Sequence, residues 1–185
     1  YFYADRQTFE NIQSSLSTNG KRHPLAFLLE AADDIAYKTA DIEDSIKKGC
    51  ISYTLLIDEL KKRMIAEEEN EDYKKMIGIL ERKYKKAIEN EYEKPDIYAV
   101  QNWVVSIQGH MIFAASDSFI DHYDEIMEGT YNKDLFYGTS VEKMMDALGD
   151  VAYRYAFISK PIFKLEIAAK SILDFLLDKF VNAVL

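Results

Sequence analysis

Three side chains in one short stretch have the types and spacing to act on a charged, hydroxylated molecule. Asp33, Tyr37 and Asp41 stand at i, i+4 and i+8 within the run from Arg22 to Asp44. On an α-helix such residues lie about one turn apart along one side of a rigid rod. A carboxylate there can ligate a cation, a phenol can donate to a phosphate or stack on a sugar, and a second carboxylate can accept from a hydroxyl. The same spacing also describes an ordinary acidic helix face with a half-buried tyrosine, and spacing alone leaves both readings open. At ~100° per residue, Leu25, Leu28, Leu29, Ala32, Ile35, Ala36, Ile42 and Ile46 share a stripe expected to pack on a core, with Asp33 nearest its edge.

The rod that positions these residues has clear punctuation. Pro24 suits a first helical turn, where a missing N–H costs nothing, and Gly49 suits a stop, so the sequence predicts a helix over 24–48. Further helices are expected from Asp5 to Leu16, ended by Ser17-Thr18-Asn19-Gly20, from Tyr53 to Met64, from Asn70 to Asn90, and from Pro95 through Trp103 to Met127 with Gly129 as its stop. After a loop at Thr130 to Gly138, Thr139-Ser140-Val141-Glu142 has the form of a capping box and predicts a helix start. A last helix follows Pro161 and carries Ile162, Leu165, Ile167, Ile172, Leu173, Phe175, Leu176 and Phe180. No alternating strand pattern stands out, and 7 Gly and 3 Pro leave little material for tight turns, so the expected fold is all-α, long helices joined by short loops. No repeat or linker divides the chain. It reads as one helical unit over 1–185, with the chemistry on the helix at 22–48 and the C-terminal helices at 95–185.

Composition narrows the function classes. Hydrophobic residues at 48% and charged residues at 30% are globular proportions. A net charge of -9 argues against a surface that grips phosphate backbones unaided, so a phosphate-bearing substrate needs positive charge from a metal or another part of the protein. The mixed charges of Lys61-Lys62-Arg63, Glu67-Glu68-Glu69 and Arg82-Lys83-Tyr84-Lys85-Lys86 read as solvated helix faces. Cys50 is the only cysteine, no signal sequence opens the chain, and no apolar run approaches the ~20 residues that span a bilayer. The expectation is a cytoplasmic protein without a membrane segment. Because position 1 is Tyr rather than Met, the chain is also expected to be a piece of a longer one.

The run His23-Pro24-Leu25, Leu28, Glu30-Ala31-Ala32-Asp33-Asp34-Ile35, Tyr37, Asp41 and Glu43-Asp44 closely resembles the signature that dGTPase-type deoxynucleoside triphosphate triphosphohydrolases of the HD superfamily carry around their last metal ligand. Phe2-Tyr3-Ala4, the segment from Gln108-Gly109 to Phe119, Asp124 to Gly129, and Leu165-Glu166 with Leu176-Leu177 resemble other stretches of the C-terminal half of these proteins, more loosely. The resemblance implies that Asp33 ligates a divalent metal, Mg²⁺ or Mn²⁺, with Asp34 the less favoured neighbour. It implies that Tyr37 contacts the nucleotide's phosphate and sugar and that Asp41 recognises the 3′-hydroxyl. The implied substrate is a dNTP, with dGTP first, split at the α-phosphorus into deoxynucleoside and tripolyphosphate. Implied partners are an N-terminal HD half and further copies of the chain, such as a hexamer; single-stranded DNA as an effector has no support in this sequence.

Two departures temper the match. None of His23, His110 and His122 precedes an Asp, and Asp121-His122 is the reverse order, so the family's His and His-Asp ligands are not in this chain. Its isolated activity is therefore expected to be nil. Val104 stands near a position where relatives carry a basic residue, which leaves Gln101, Asn102 and Trp103 either as nucleobase contacts or as a polar pair beside a core tryptophan. The rival to an enzyme wall is a non-catalytic helical module for oligomerisation or effector binding.

Overall fold

The computed structural model describes residues 2–18, 20–66, 70–158 and 160–184. Asn19 and the Glu67-Glu68-Glu69 run therefore lie outside the described residues, as does the side chain of Ile162. A 3-10 turn (Tyr3–Asp5) leads into α1 (Arg6–Ser15), followed by α2 (Pro24–Lys47), α3 (Tyr53–Ala66), α4 (Glu71–Glu89), α5 (Pro95–Asp121), α6 (Tyr123–Glu128), α7 (Glu142–Ala152), a π-helical turn (Tyr153–Phe157) and α8 (Lys160–Val184). The described residues form no strand, and the fold is all-α.

Local chemistry sets most boundaries. Pro24 occupies the first turn of α2 and the His23 side chain accepts from the Leu25 N–H at 3.2 Å, which satisfies an exposed donor. Asn70 caps α4 in the same way through the Tyr73 N–H at 2.9 Å. Gly129 ends α6 in the left-handed region at φ 66°, and Lys21 folds across it to donate to the Glu128 carbonyl at 2.6 Å. A side chain at position 129 would collide with Lys21, so glycine is required there both for its φ and for its size.

Two expectations need correction. The helix from Pro95 does not reach Met127; it breaks at His122, which leaves helical geometry at φ -103°, ψ 16° and stacks its ring on Tyr131 with centroids 4.5 Å apart. Neither Pro nor Gly marks the bend. The predicted capping box also does not form. Thr139 Oγ1 donates to the Phe136 carbonyl at 2.7 Å and Glu142 accepts from the Gly138 N–H at 3.1 Å, so both polar groups tie down the preceding turn and α7 begins only at Glu142.

α5 is the axis of the molecule, lying against α4 on one side and α2 on the other, while α7 closes over α2 and α3. Trp103 at its centre is fully buried and donates its indole N–H to the Met76 carbonyl of α4 at 2.8 Å. Trp103→Ala is expected to cost ~3–5 kcal/mol, the range for deleting a buried aromatic, through the cavity it leaves. Urea titration followed by circular dichroism measures this, and a loss under about 1 kcal/mol would contradict this account of the core.

α8 stands apart. Every residue from 163 to 183 is exposed, and its main neighbour is the π-helical turn that precedes it. Among the described residues no helix is long and apolar enough to cross a membrane.

Candidate functional site

α2 meets the core through a different side from the one its periodicity suggested. The buried residues are Phe27, Ala31, Ile35, Thr39, Ile42, Ser45 and Ile46. Ile35, Ile42 and Ile46 keep their expected place, whereas Leu25 and Leu29 are 64% and 72% exposed, Leu28 is 38% exposed, and Ala32 and Ala36 also face outward. The physical reason is that α2 is apolar on two sides. Phe27 and Ala31 lead one side into α5 and α7, and the leucine and alanine positions form a second side that no described residue covers. A helix apolar on both sides belongs between two layers.

Rotation about α2 is fixed by polar ties to α5. Gln108 Nε2 donates to Thr39 Oγ1 at 2.8 Å, and Thr39 donates in turn to the Ile35 carbonyl at 2.7 Å. One turn further along α2, Gln101 Nε2 donates to Glu43 Oε1 at 2.9 Å. Hydrogen bonds from Lys47 and then Gln101 hold the Glu43 carboxyl below its ordinary range. These two glutamines set which way the chemistry-bearing side of α2 points. Sequence reasoning missed Gln108 in this role; the one available signal was Thr39, a hydroxyl in an otherwise apolar stripe.

With α2 so oriented, Asp33 is exposed at the edge of the uncovered apolar side and makes no hydrogen bond or ion pair among the described residues. Tyr37, one turn on, is 65% exposed. Asp41 is half-buried; burial first, and then the nearby Asp44, push its carboxyl above the ordinary aspartate range, with Lys48 pulling the other way. The three residues thus share an open side of one helix and span about 12 Å along it. Asp34, partly buried, is also without a polar partner among the described residues.

The other candidates resolve into structural parts. His23 caps α2. His110 bonds the Ser106 carbonyl at 3.0 Å, and His122 marks the α5 bend. Asn102 donates to the Tyr98 carbonyl at 2.9 Å, Trp103 and Val104 are buried in the core, and Gln101 is engaged with Glu43. A cleft of about 500 Å³ between the α1–α2 connection and α6 is lined by Lys21, Arg22 and Met127 among others, and not by Asp33, Tyr37 or Asp41. Arg22 there is paired with Glu30 and lies over the Phe27 ring at 4.3 Å.

A metal finds only part of a shell. Among the described residues no three His, Cys, Asp or Glu side chains gather closely enough to hold an ion. Asp33 offers one free carboxylate, which fits a ligand contributed to a site and not a site by itself.

Comparison with known proteins gives the chain its relatives. It is 35% identical over 186 residues, covering 100% of the chain, to proteins of Listeria monocytogenes and Listeria innocua called deoxyguanosinetriphosphate triphosphohydrolase-like. It is 28% identical over 194 residues, or 96% of the chain, to a probable deoxyguanosinetriphosphate triphosphohydrolase of Pseudomonas aeruginosa. The chain spans 38% of the length of the Listeria proteins and 37% of the Pseudomonas protein, and the matched region is their C-terminal part. No family model matches.

Proposed function

Because the chain is homologous, along its whole length, to the C-terminal part of the deoxyguanosinetriphosphate triphosphohydrolases, we propose that it is one wall of a dNTP triphosphohydrolase site of the HD type, with dGTP as the first substrate. The observation that carries the reading is the Asp33 carboxylate, without a polar partner among the described residues, on the margin of an apolar side of α2 that no described residue covers. An N-terminal HD half packed on Leu25, Leu29, Ala32 and Ala36 buries that side and brings its own metal ligands to Asp33.

Each residue then has one task. Asp33 contributes a ligand to a divalent ion, Mg²⁺ or Mn²⁺, which when bound supplies Lewis acidity and an activated water. Tyr37 donates its phenol to a phosphate oxygen or lies against the sugar. Asp41, held by Gln101 and Gln108 through the orientation of α2, accepts from the 3′-hydroxyl and so favours a deoxyribose bound in one pose. In the balanced reaction one water adds to the α-phosphorus, the bond to the 5′-oxygen breaks, and deoxynucleoside and tripolyphosphate leave. The setting is cytoplasmic and the assembly a homo-oligomer.

Phosphorus NMR of the products decides the reaction class. Extended to the length of its relatives and given dGTP with Mn²⁺, the protein is expected to release tripolyphosphate; pyrophosphate with dGMP, or orthophosphate with dGDP, would exclude this chemistry.

A further inference from the structure

We infer that Gln108, on α5, is a positioning residue for the Asp33 carboxylate on α2. The inference rests on the reading of Asp33 as a metal ligand and adds the group that aims it. Packing alone leaves the rotation of α2 weakly specified, because hydrophobic contact is non-directional and this helix is apolar on two sides. Direction comes from polar ties. Among the described residues, Gln101 and Gln108 are the side chains of other helices that hydrogen-bond to α2. Side chains reach about 5–6 Å from a helix axis, so a rotation of ~10° carries a carboxylate ~1 Å aside, a displacement that at a reacting centre costs up to about a hundredfold in rate.

The two ties are not equivalent. Gln108 Nε2 donates to Thr39 Oγ1 at 2.8 Å, and Thr39 donates one turn back to the Ile35 carbonyl at 2.7 Å, two residues from Asp33. Thr39 is fully buried, so turning it out of register strands a hydroxyl in an apolar seam. Gln101 instead holds Glu43, which lies ~15 Å along the axis from Asp33. Between the start of α2 and Thr39 the buried residues are Phe27, Ala31 and Ile35, all apolar. Of the two ties, only the one from Gln108 acts at the level of Asp33. Asp41 differs, since it sits between Thr39 and Glu43 and is held from both sides. It keeps its place when either tie is cut.

The test titrates Mn²⁺ into the protein at the length of its relatives and reads the free ion by electron paramagnetic resonance. Gln108→Leu and Thr39→Val are each expected to weaken Mn²⁺ binding about ten- to a hundredfold, the range for losing a group that orients a metal ligand. The double variant should lose no more than either single one, because both cut the same tie. Thr39→Val, close in shape to the native residue, carries the test should Gln108→Leu fail to fold. Gln101→Leu cuts the neighbouring bond in the same α2–α5 seam and should leave Mn²⁺ affinity unchanged. Preference for dGTP over dideoxyguanosine triphosphate, which lacks the hydroxyl assigned to Asp41, should survive in Gln108→Leu. An equal loss in Gln101→Leu would make the effect one of general stability and overturn the inference. Native Mn²⁺ affinity in Gln108→Leu and Thr39→Val, or losses that add in the double variant, would also overturn it. Asp33→Ala separates the two levels. If that variant binds Mn²⁺ natively, the metal-ligand reading fails and the inference with it; if it loses the ion while Gln108→Leu keeps it, only the positioning role fails.

Discussion

In the protein at the length of its relatives, Asp33→Ala is expected to lower dGTP turnover by at least about 10³-fold, the several kcal/mol that metal assistance is worth at ~1.4 kcal/mol per decade. The substitution does not disturb the fold, because the side chain is exposed and touches no polar group among the described residues. Asp41→Ala removes one charge-assisted hydrogen bond, typically worth ~1.5–3 kcal/mol, so kcat/KM should fall by about ten- to a hundredfold. Tyr37→Phe keeps the ring and loses the donor; its effect is expected between these two. Steady-state assays with Mg²⁺ or Mn²⁺ in excess provide the comparison. Near-native kcat for Asp33→Ala would move the active site elsewhere, and equal losses for Asp33→Ala and Asp41→Ala would deny their separate tasks.

The isolated chain gives the other large effect: no measurable hydrolysis of dGTP, and no tight binding of Mn²⁺. One carboxylate leaves an ion mostly coordinated by water, and the three histidines are spent on a cap, a backbone carbonyl and a ring stack. Calorimetric titration with Mn²⁺ should show only weak, nonspecific heats, and tripolyphosphate should not accumulate over hours. Turnover by this chain alone would mean that Asp33, Tyr37 and Asp41 work without a second wall.

Much of the fold was legible because its boundaries are written in residues with strong local chemistry. Pro24, Asn70, Pro95 and Gly129 each fix a helix end through a missing donor, a capping carbonyl or a positive φ, and the helices begin or end within a residue of them. The break at His122 was not legible, since it depends on a ring partner nine residues on, Tyr131, that sequence proximity does not announce. Thr139 and Glu142 misled for the opposite reason: their pattern permits a cap, but the neighbouring turn at Phe136 and Gly138 competes for the same groups.

At the candidate site, the helix and its three residues were readable, while its facing was not. Leu25, Leu28 and Leu29 are as apolar as any core residue, and periodicity cannot tell a face that packs within the unit from one that packs on something else. Phe27 and the Thr39–Gln108 hydrogen bond decide the matter, and the second of these links positions 69 residues apart. The resemblance of the run around Asp33 supplied roles that the spacing left open.

Trp103 is the only tryptophan, and it lies wholly inside the α4–α5 seam with its indole N–H bonded to a carbonyl. Light absorbed by tryptophan alone is therefore reported from one address. Its emission should sit well to the blue of an indole in water and change only when that seam opens. Events on the outer side of α2 remain dark to it, so docking there can be followed by other dyes while the native core signals its own integrity at a separate colour.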